Sequence, residues 1–273
     1  MSAEHTIIPE LLQRMVRVHL VGAGGNGAQM LTGLGRLNHA LTTLGHPGGL
    51  FVTVYDHDTV SASNVGRQLF SEGDLGRAKA TVLVHRLNAF YGLHWKAITG
   101  RYPESADQTH PDLVITCVDT AAARREIYRH LKARNYHPGY WLDLGNRQTD
   151  GQVVLGEQPL NGTGKARHPR KPSAPPALPT VVDLFPDILD ERIAEDDRPS
   201  CSLAQALESQ DLFINDHVSR WALQLLWDLF RKGRLAHHGY FVNLATGRVN
   251  PLPVPVPKPS AEVTPVKKAR ARQ

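Results

Sequence analysis

A glycine-rich run, Gly22-Ala-Gly-Gly-Asn-Gly27, stands between the apolar stretch Arg17–Val21 and a helical pattern from Ala28 to about Leu37. Glycines at 22, 24 and 27, with an extra one at Gly25, give each position a task. The first permits a tight turn, the second lets backbone N–H groups approach phosphate, and the third lets helix and strand pack closely. The helix N-terminus beyond adds partial positive charge to the same place. Asp56 ends the next strand pattern, where an acidic side chain can accept hydrogen bonds from a ribose. Arg67 offers a planar fork to phosphate oxygens and Lys79 a compact point charge. Asp119 follows the apolar run Leu113–Val118, at the strand end where ligands bind in such sheets, and can hold a hydrated Mg²⁺. The glycine turn alone suits NAD as readily as ATP. Lys79 and Arg124 also read as ordinary solvated helix charges, and Asp119 as a cap for the helix from Ala121.

These residues need a scaffold, and the apolar pattern supplies one. Strands are expected at Arg17–Val21, Leu50–Tyr55, Leu93–Ile98, Leu113–Val118, Tyr140–Leu144 and Gln152–Leu155. Helices are expected at Ala28–Leu37, Arg77–Phe90 and Ala121–Ala133, with Leu37–Gly49 as an insertion containing His46-Pro-Gly-Gly. Leu113–Val118 is a continuous apolar run, as a strand buried on both faces requires. The rhythm predicts an α/β, doubly wound (Rossmann-like), mostly parallel sheet with helices on both faces. A long C-terminal helix, Leu203–Arg231, and a short hairpin, Tyr240–Leu244 with Arg248–Val249, are expected to complete it.

The chain divides by composition into 1–156, a nucleotide-binding core; 157–200, a mobile crossover loop; 201–250, a helix and hairpin packed on the core; and 251–273, a disordered tail. Between Gly156 and Pro199 the sequence is rich in Pro, Gly, Lys and Asp, too polar to offset its ordering entropy. Pro251–Pro259 alternates Pro and Val, a polyproline II pattern. The formal net charge is +5, but Lys267–Gln273 carries four basic residues and no acidic one. The excess therefore sits on a tail, where contact with nucleic acid would be loose. Hydrophobic residues make up 41% of the 273, near the soluble average, and no run of 18 apolar residues occurs. No membrane span and no signal peptide are read. Two cysteines, Cys117 and Cys201, exclude a four-cysteine zinc site, so no zinc is expected, and a cytoplasmic protein fits best.

The segment Asp56-His-Asp-Thr-Val-Ser-Ala-Ser-Asn64-Val-Gly-Arg67-Gln68, followed by Gly76-Arg-Ala-Lys79, resembles the ThiF, MoeB and ubiquitin-activating (E1-like) adenylating family. That family's hallmark is Asp-x-Asp-x-Val-x-x-Ser-Asn-x-x-Arg-Gln and then Gly-x-x-Lys. The likeness runs on through Cys117-Val-Asp119, where the family has Cys-x-Asp-Asn, and covers roughly residues 16 to 156. It implies ATP with Mg²⁺ as the ligand and adenylation of the C-terminal carboxylate of a ubiquitin-like or sulfur-carrier protein. By the same likeness Asp56 binds the ribose, Asn64, Arg67 and Lys79 contact the triphosphate, Asp119 coordinates magnesium and Arg124 assists. A homodimer is the family's usual state. His46-Pro-Gly-Gly is similar to the ThiF-type member of the plasmid-associated PRTRC system. Two features depart from the pattern. Thr120 replaces the second Asn, and no Arg-Tyr-x-Arg-Gln segment precedes Val16, where Arg14 and Arg17 are loose substitutes.

Cys201 lies in Arg198-Pro-Ser-Cys-Ser-Leu-Ala, at the start of the expected long helix. A thiol there has its thiolate stabilised by the helix end and by a nearby arginine. Family members that go beyond adenylation carry a cysteine in or after the crossover loop, which takes the acyl group as a thioester and passes it to an E2-like acceptor. The alternative is a small residue at a helix start, capped by Ser200 or Ser202. Cys117, inside an apolar strand, reads as a packing residue. A nucleotide-holding scaffold without transfer activity and NAD-dependent redox chemistry remain the competing readings.

Overall fold

The computed structural model describes residues 3–106, 109–133, 139–157, 177–192, 204, 207, 208 and 210–256. Its strands are β1 (His5–Thr6), β2 (Val16–Val21), β3 (Leu50–Tyr55), β4 (Lys96–Ile98), β5 (Leu113–Thr116), β6 (Tyr140–Asn146), β7 (Asp150–Glu157), β8 (Arg234–Leu235), β9 (His237–Asn243) and β10 (Arg248–Pro253). Its α-helices are α1 (Gly25–Thr43), α2 (Lys79–Tyr91), α3 (Ala121–Lys132), α4 (Val181–Leu184) and α5 (Ile214–Lys232).

One eight-stranded sheet runs in the order β10-β9-β7-β6-β5-β2-β3-β4. The strands β4, β3, β2, β5 and β6 are parallel, whereas β7, β9 and β10 join antiparallel. All four residues of β5 are buried, as its unbroken apolar run requires in a sheet covered on both faces. On one face α1, α2 and α5 close over Val18, Leu20, Val52, Val54, Ile115 and Leu142. On the other, α3 and α4 bury Ile127, Leu131, Val181 and Val182 against Val114, Trp141 and Val154. The chain leaves β2 toward β3 and β4, then returns to lay β5 on the other side of β2. That reversal opens a crevice at the carboxyl ends of β2 and β5, where doubly wound folds bind ligands.

The expected fold class therefore holds, with several local corrections. Helix α1 runs to Thr43, with Gly33 and Gly35 inside it, and ends just before Gly45, whose φ is +91°. Most of the presumed insertion is helix, and His46-Pro-Gly-Gly is pinned at the amino end of the sheet. There the Gly49 N–H donates to His46 Nδ1, and a His46 ring nitrogen lies 2.8 Å from the Leu11 carbonyl. The expected long C-terminal helix is interrupted: residues 204, 207 and 208 are helical, 210–213 are not, and α5 begins at Ile214. The Asp211 N–H is drawn instead to the Gln148 carbonyl, at 3.0 Å. The hairpin is longer than expected, and β9 also pairs with β7, so it widens the main sheet. Pro251 and Pro253 lie in β10, where an edge strand tolerates proline because no neighbour needs its N–H.

Part of the stretch read as a mobile loop, residues 177–192, is packed structure, anchored by Leu178, Val181 and Val182. A run of average polarity hides these clustered apolar residues. Arg198, Cys201 and the basic tail Lys267–Gln273 lie outside the described residues. No described helix is long and apolar enough to cross a membrane.

Candidate functional site

The glycine turn follows β2 directly, and the register fixes its neighbours. The Gly22 N–H donates to the Tyr55 carbonyl and the Cys117 N–H to the Val21 carbonyl, so the ends of β3 and β5 flank the turn. Gly22 adopts φ +91°, a left-handed conformation that suits glycine. A Cβ on Gly27 would lie 1.9 Å from the Gly22 carbonyl oxygen, which is the close helix–strand approach its spacing implied. One on Gly25 would strike the Asn215 side chain at 2.5 Å. Gly24 is different: the nearest atom to its Cβ position is Gln68 Nε2, at 3.9 Å. Its side of the turn is open.

Asp56 braces the turn from β3. One carboxylate oxygen accepts the Ala23 N–H at 2.6 Å and the other the Asp58 N–H at 2.8 Å. Burial pushes its pKa above the ordinary carboxylate value, and these N–H groups offset only part of that. Lys79 opens α2 and donates from Nζ to Asp58 Oδ2 at 2.9 Å. Burial alone would raise the Asp58 carboxyl, but the hydrogen bond and charge of Lys79 hold it below its usual value. Asp56, His57 and Asp58 offer ligand atoms within 4.8 Å of one another. The carboxylates of that group are already engaged by backbone N–H groups and by Lys79.

Asn64 is buried in a short 3₁₀ turn, where its Oδ1 accepts the Ser61 N–H at 2.9 Å. Three polar atoms around the turn are buried without a hydrogen-bond partner: Arg67 Nε, Gln68 Oε1 and Asn26 Oδ1. Burial lowers the Arg67 pKa, and its Nη1 donates to Gln210 Oε1 at 2.5 Å. The Asn26 amide is oriented by a relay. Asn146 Nδ2 donates to the Arg147 carbonyl at 3.2 Å, which turns Asn146 Oδ1 to accept from Asn26 Nδ2 at 2.7 Å. Asn26 Oδ1 is left facing the opposite way, an acceptor in need of a donor.

Asp119 lies just beyond β5, exposed, with no hydrogen bond or ion pair to a described residue. The cap of α3 is Thr120, whose side chain accepts the Ala123 N–H at 3.1 Å. The departure at 120 thus takes over the capping task that Asp119 was weighed for. Arg124 is no solvated helix charge. Its Nε donates to Asp143, and its Nη2 to the carbonyls of Val118 at 2.8 Å and Leu144 at 3.1 Å. It ties the end of β5 to β6 beneath Asp119. Cys117 packs under the turn, and burial drives its thiol pKa well up, which suits a packing residue. Arg14 grips Asp112 with two 2.7 Å bonds at the amino end of β5, the opposite end of the sheet from this site.

Of the expected site residues, Asp56 touches the glycine turn, Lys79 pairs with Asp58 beside it, Arg124 bonds the carbonyl before Asp119, and Cys201 lies outside the described residues. Sequence reasoning missed Gln210 and Asn215, which arrive from the segment before α5 and its first turn. It also missed Asp143 and Asn26. A lone Asp in the apolar run Tyr140–Leu144, and a polar residue in the variable position of the glycine run, were signals for the latter two. Gln210 lay within a presumed helix and carried none.

A glycine turn with one open side, and buried polar atoms nearby that lack partners, is chemically suited to a phosphorylated ligand. Comparison with known proteins places the chain in a family. The ThiF family model matches residues 10–247. Over 124 residues the chain is 34% identical to the Nedd8-activating enzyme E1 catalytic subunit of Drosophila melanogaster, a span of 43% of this chain and 25% of that protein. Among solved structures, E. coli MccB superposes with a TM-score of 0.54 at 14% identity, covering 94% of this chain and 67% of MccB. MccB with ATP gives 0.54 at 15% identity, over 91% and 66%. PaaA gives 0.50 at 15% identity, over 88% and 64%. These likenesses establish the fold, and the chain spans about a quarter of its curated relative and about two thirds of the solved ones. With the family match extending over most of its length, this chain belongs to the ThiF family.

Proposed function

We propose that this protein binds ATP at the glycine turn and adenylates the C-terminal carboxylate of a small ubiquitin-like or sulfur-carrier protein. The observation that carries the reading is the set of buried, unpartnered polar atoms, Arg67 Nε, Gln68 Oε1 and Asn26 Oδ1, around the open side of the turn. Such atoms cost free energy unless a ligand supplies their hydrogen bonds. A relative named for activating Nedd8 and an MccB structure solved with ATP support the same assignment.

In the reaction a carboxylate oxygen attacks the α-phosphorus, the bond to the bridging oxygen breaks, and pyrophosphate leaves with its electron pair. Arg67 and Lys79 offset the charge of the phosphates, and Asn64 contributes its amide. Asp56 binds the ribose while bracing the turn. Asp119, free and exposed at the strand end, would hold a divalent ion with ligand oxygens completing its shell, and that ion would neutralise the leaving pyrophosphate. Arg124 serves by fixing the backbone on which Asp119 sits.

Cys201 is the proposed acceptor of the acyl group. Its thiolate would attack the acyl carbon and release AMP, leaving a thioester for transfer to a partner thiol. A cytoplasmic homodimer in a plasmid-associated system is the proposed setting. The test is carrier-dependent ATP–pyrophosphate exchange, expected to vanish in Asp119→Ala. Full exchange in that variant would refute the assigned site. A thioester trapped on the wild type and absent from Cys201→Ala tests the second step. A nucleotide-holding scaffold is the second reading, favoured by Arg14 being committed to Asp112 of its own chain. A trapped thioester would exclude it.

A further inference from the structure

Arg67 meets a residue that no motif announced. Its Nη1 donates at 2.5 Å to the side-chain carbonyl of Gln210, 143 positions along the chain. That oxygen also accepts Asn215 Nδ2 at 3.2 Å. The backbone around Gln210 is held independently: Gln148 Nε2 donates to the Glu208 carbonyl and the Asp211 N–H to the Gln148 carbonyl, both at 3.0 Å. Asn215 is seated against Gly25 of the turn. The amide of Gln210 is thus a fixed acceptor, and Arg67 is the group it orients.

A guanidinium has two edges that can take a pair of oxygens, and the side-on edge is formed by Nε and Nη2. With Nη1 donating to Gln210, the side-on edge is the one whose two nitrogens bond no described residue. Its Nε is buried and unpartnered, and Nη2 bonds no described residue. We propose that Gln210 is a positioning residue of the nucleotide site, holding Arg67 by Nη1 so that its Nε/Nη2 edge is presented to two oxygens of one phosphate. The inference rests on the ATP reading and adds a residue from the segment before α5 to it. The choice of a carboxamide follows from charge. Gln210 orients Arg67 without neutralising it, whereas a glutamate would cancel the cation and repel phosphate.

The test is calorimetric binding of ATP and of adenosine to the full chain. Gln210→Ala is expected to weaken ATP roughly tenfold, the scale of one charge-assisted hydrogen bond to phosphate. Adenosine binding and melting temperature should stay at wild-type values, which a merely structural role for Gln210 would not allow. Gln210→Glu should weaken ATP at least as much as Gln210→Ala. In an Arg67→Ala background, Gln210→Ala should have no further effect. Unchanged or tighter ATP binding by Gln210→Ala overturns the proposal, the tighter case making the amide a competitor of phosphate. A loss that persists undiminished without Arg67 also overturns it. Folded wild type that binds no ATP would instead defeat the nucleotide reading, and this role with it.

Discussion

The Arg124 guanidinium lies 3.0 Å from the Asp143 carboxylate, with both residues buried. Asp143 also accepts the Thr116 hydroxyl, which in turn takes the Trp141 indole N–H. The network joins α3, β5 and β6 and, through the Val118 carbonyl, holds the residue before Asp119. Removing one partner leaves the other charge buried and uncompensated. Asp143→Asn is therefore expected to lower unfolding free energy by about 3–5 kcal/mol in urea titrations. Replacing both groups together, as Arg124→Met with Asp143→Leu, should recover part of the loss. A small effect of Asp143→Asn would mean that the pair is solvated and does not anchor the loop.

Asp119 and Thr120 divide two tasks between neighbouring residues. Thr120 satisfies the first turn of α3, so Thr120→Ala should cost about 1 kcal/mol of stability. Asp119 is exposed and caps nothing, so Asp119→Ala should stay within about 0.5 kcal/mol of wild type while abolishing exchange. Thermal melts and pyrophosphate exchange on both variants check this. A destabilised Asp119→Ala protein would show that the carboxylate has a structural partner.

Much of this arrangement was legible in the sequence, for identifiable reasons. The run Leu50–Tyr55 was bounded correctly because its apolar and β-branched residues are framed by Gly49 and Asp56. The placement of the glycine turn, of Asp56 at a strand end and of Lys79 at a helix start was legible because each is set by local pattern, whereas Asn64 and Arg67 were singled out through the family motif. Gln210 and Asn215 were not, because their roles depend on a tertiary approach to Arg67 and Gly25 that no local pattern encodes. The helix boundary at Ile214 failed for the same reason. The apolar period runs smoothly through 207–229, while bonds from Gln148 to the Asp211 N–H and the Glu208 carbonyl hold the break before Ile214. Arg124 showed the converse. Its helical spacing left a solvated charge open beside the site role that the resemblance implied, and the structure buries it against Asp143.

The loop that leads into Lys79 carries a pH dependence. Asp74 is buried, and its pKa is held down to about 2, chiefly by the Ser71 N–H. Burial works the other way, but the Arg86 guanidinium and the Ser71 hydroxyl add to the lowering. A carboxyl depressed on folding contributes stability that is complete above its unfolded value, about 3.9, and is lost as pH falls toward its folded value. Unfolding free energy should therefore decline between about pH 4 and pH 2, and Asp74→Asn should flatten that slope. Urea titrations across this range read it directly. A slope unchanged by the substitution would assign the acid sensitivity to other carboxylates.

Gly24 and Gly27 should separate binding from folding, though both belong to one turn. A methyl group on Gly27 meets the Gly22 carbonyl at 1.9 Å, and both atoms sit on backbone that β2 and α1 hold in place. Gly27→Ala must push helix and strand apart, so the overpacking should destabilise the fold by about 3 kcal/mol, outweighing the small stabilisation Gly→Ala gives at a strain-free position. Gly24 has negative φ and open space, with Gln68 Nε2 at 3.9 Å its nearest neighbour. Gly24→Ala should leave the melting temperature close to wild type. Its methyl group would nonetheless stand where backbone N–H groups are proposed to meet phosphate, and ATP affinity should fall at least tenfold. Calorimetric titration with ATP beside a thermal melt distinguishes the two variants. A Gly24→Ala protein that melts normally and binds ATP as tightly as wild type would show that phosphate does not approach this side of the turn.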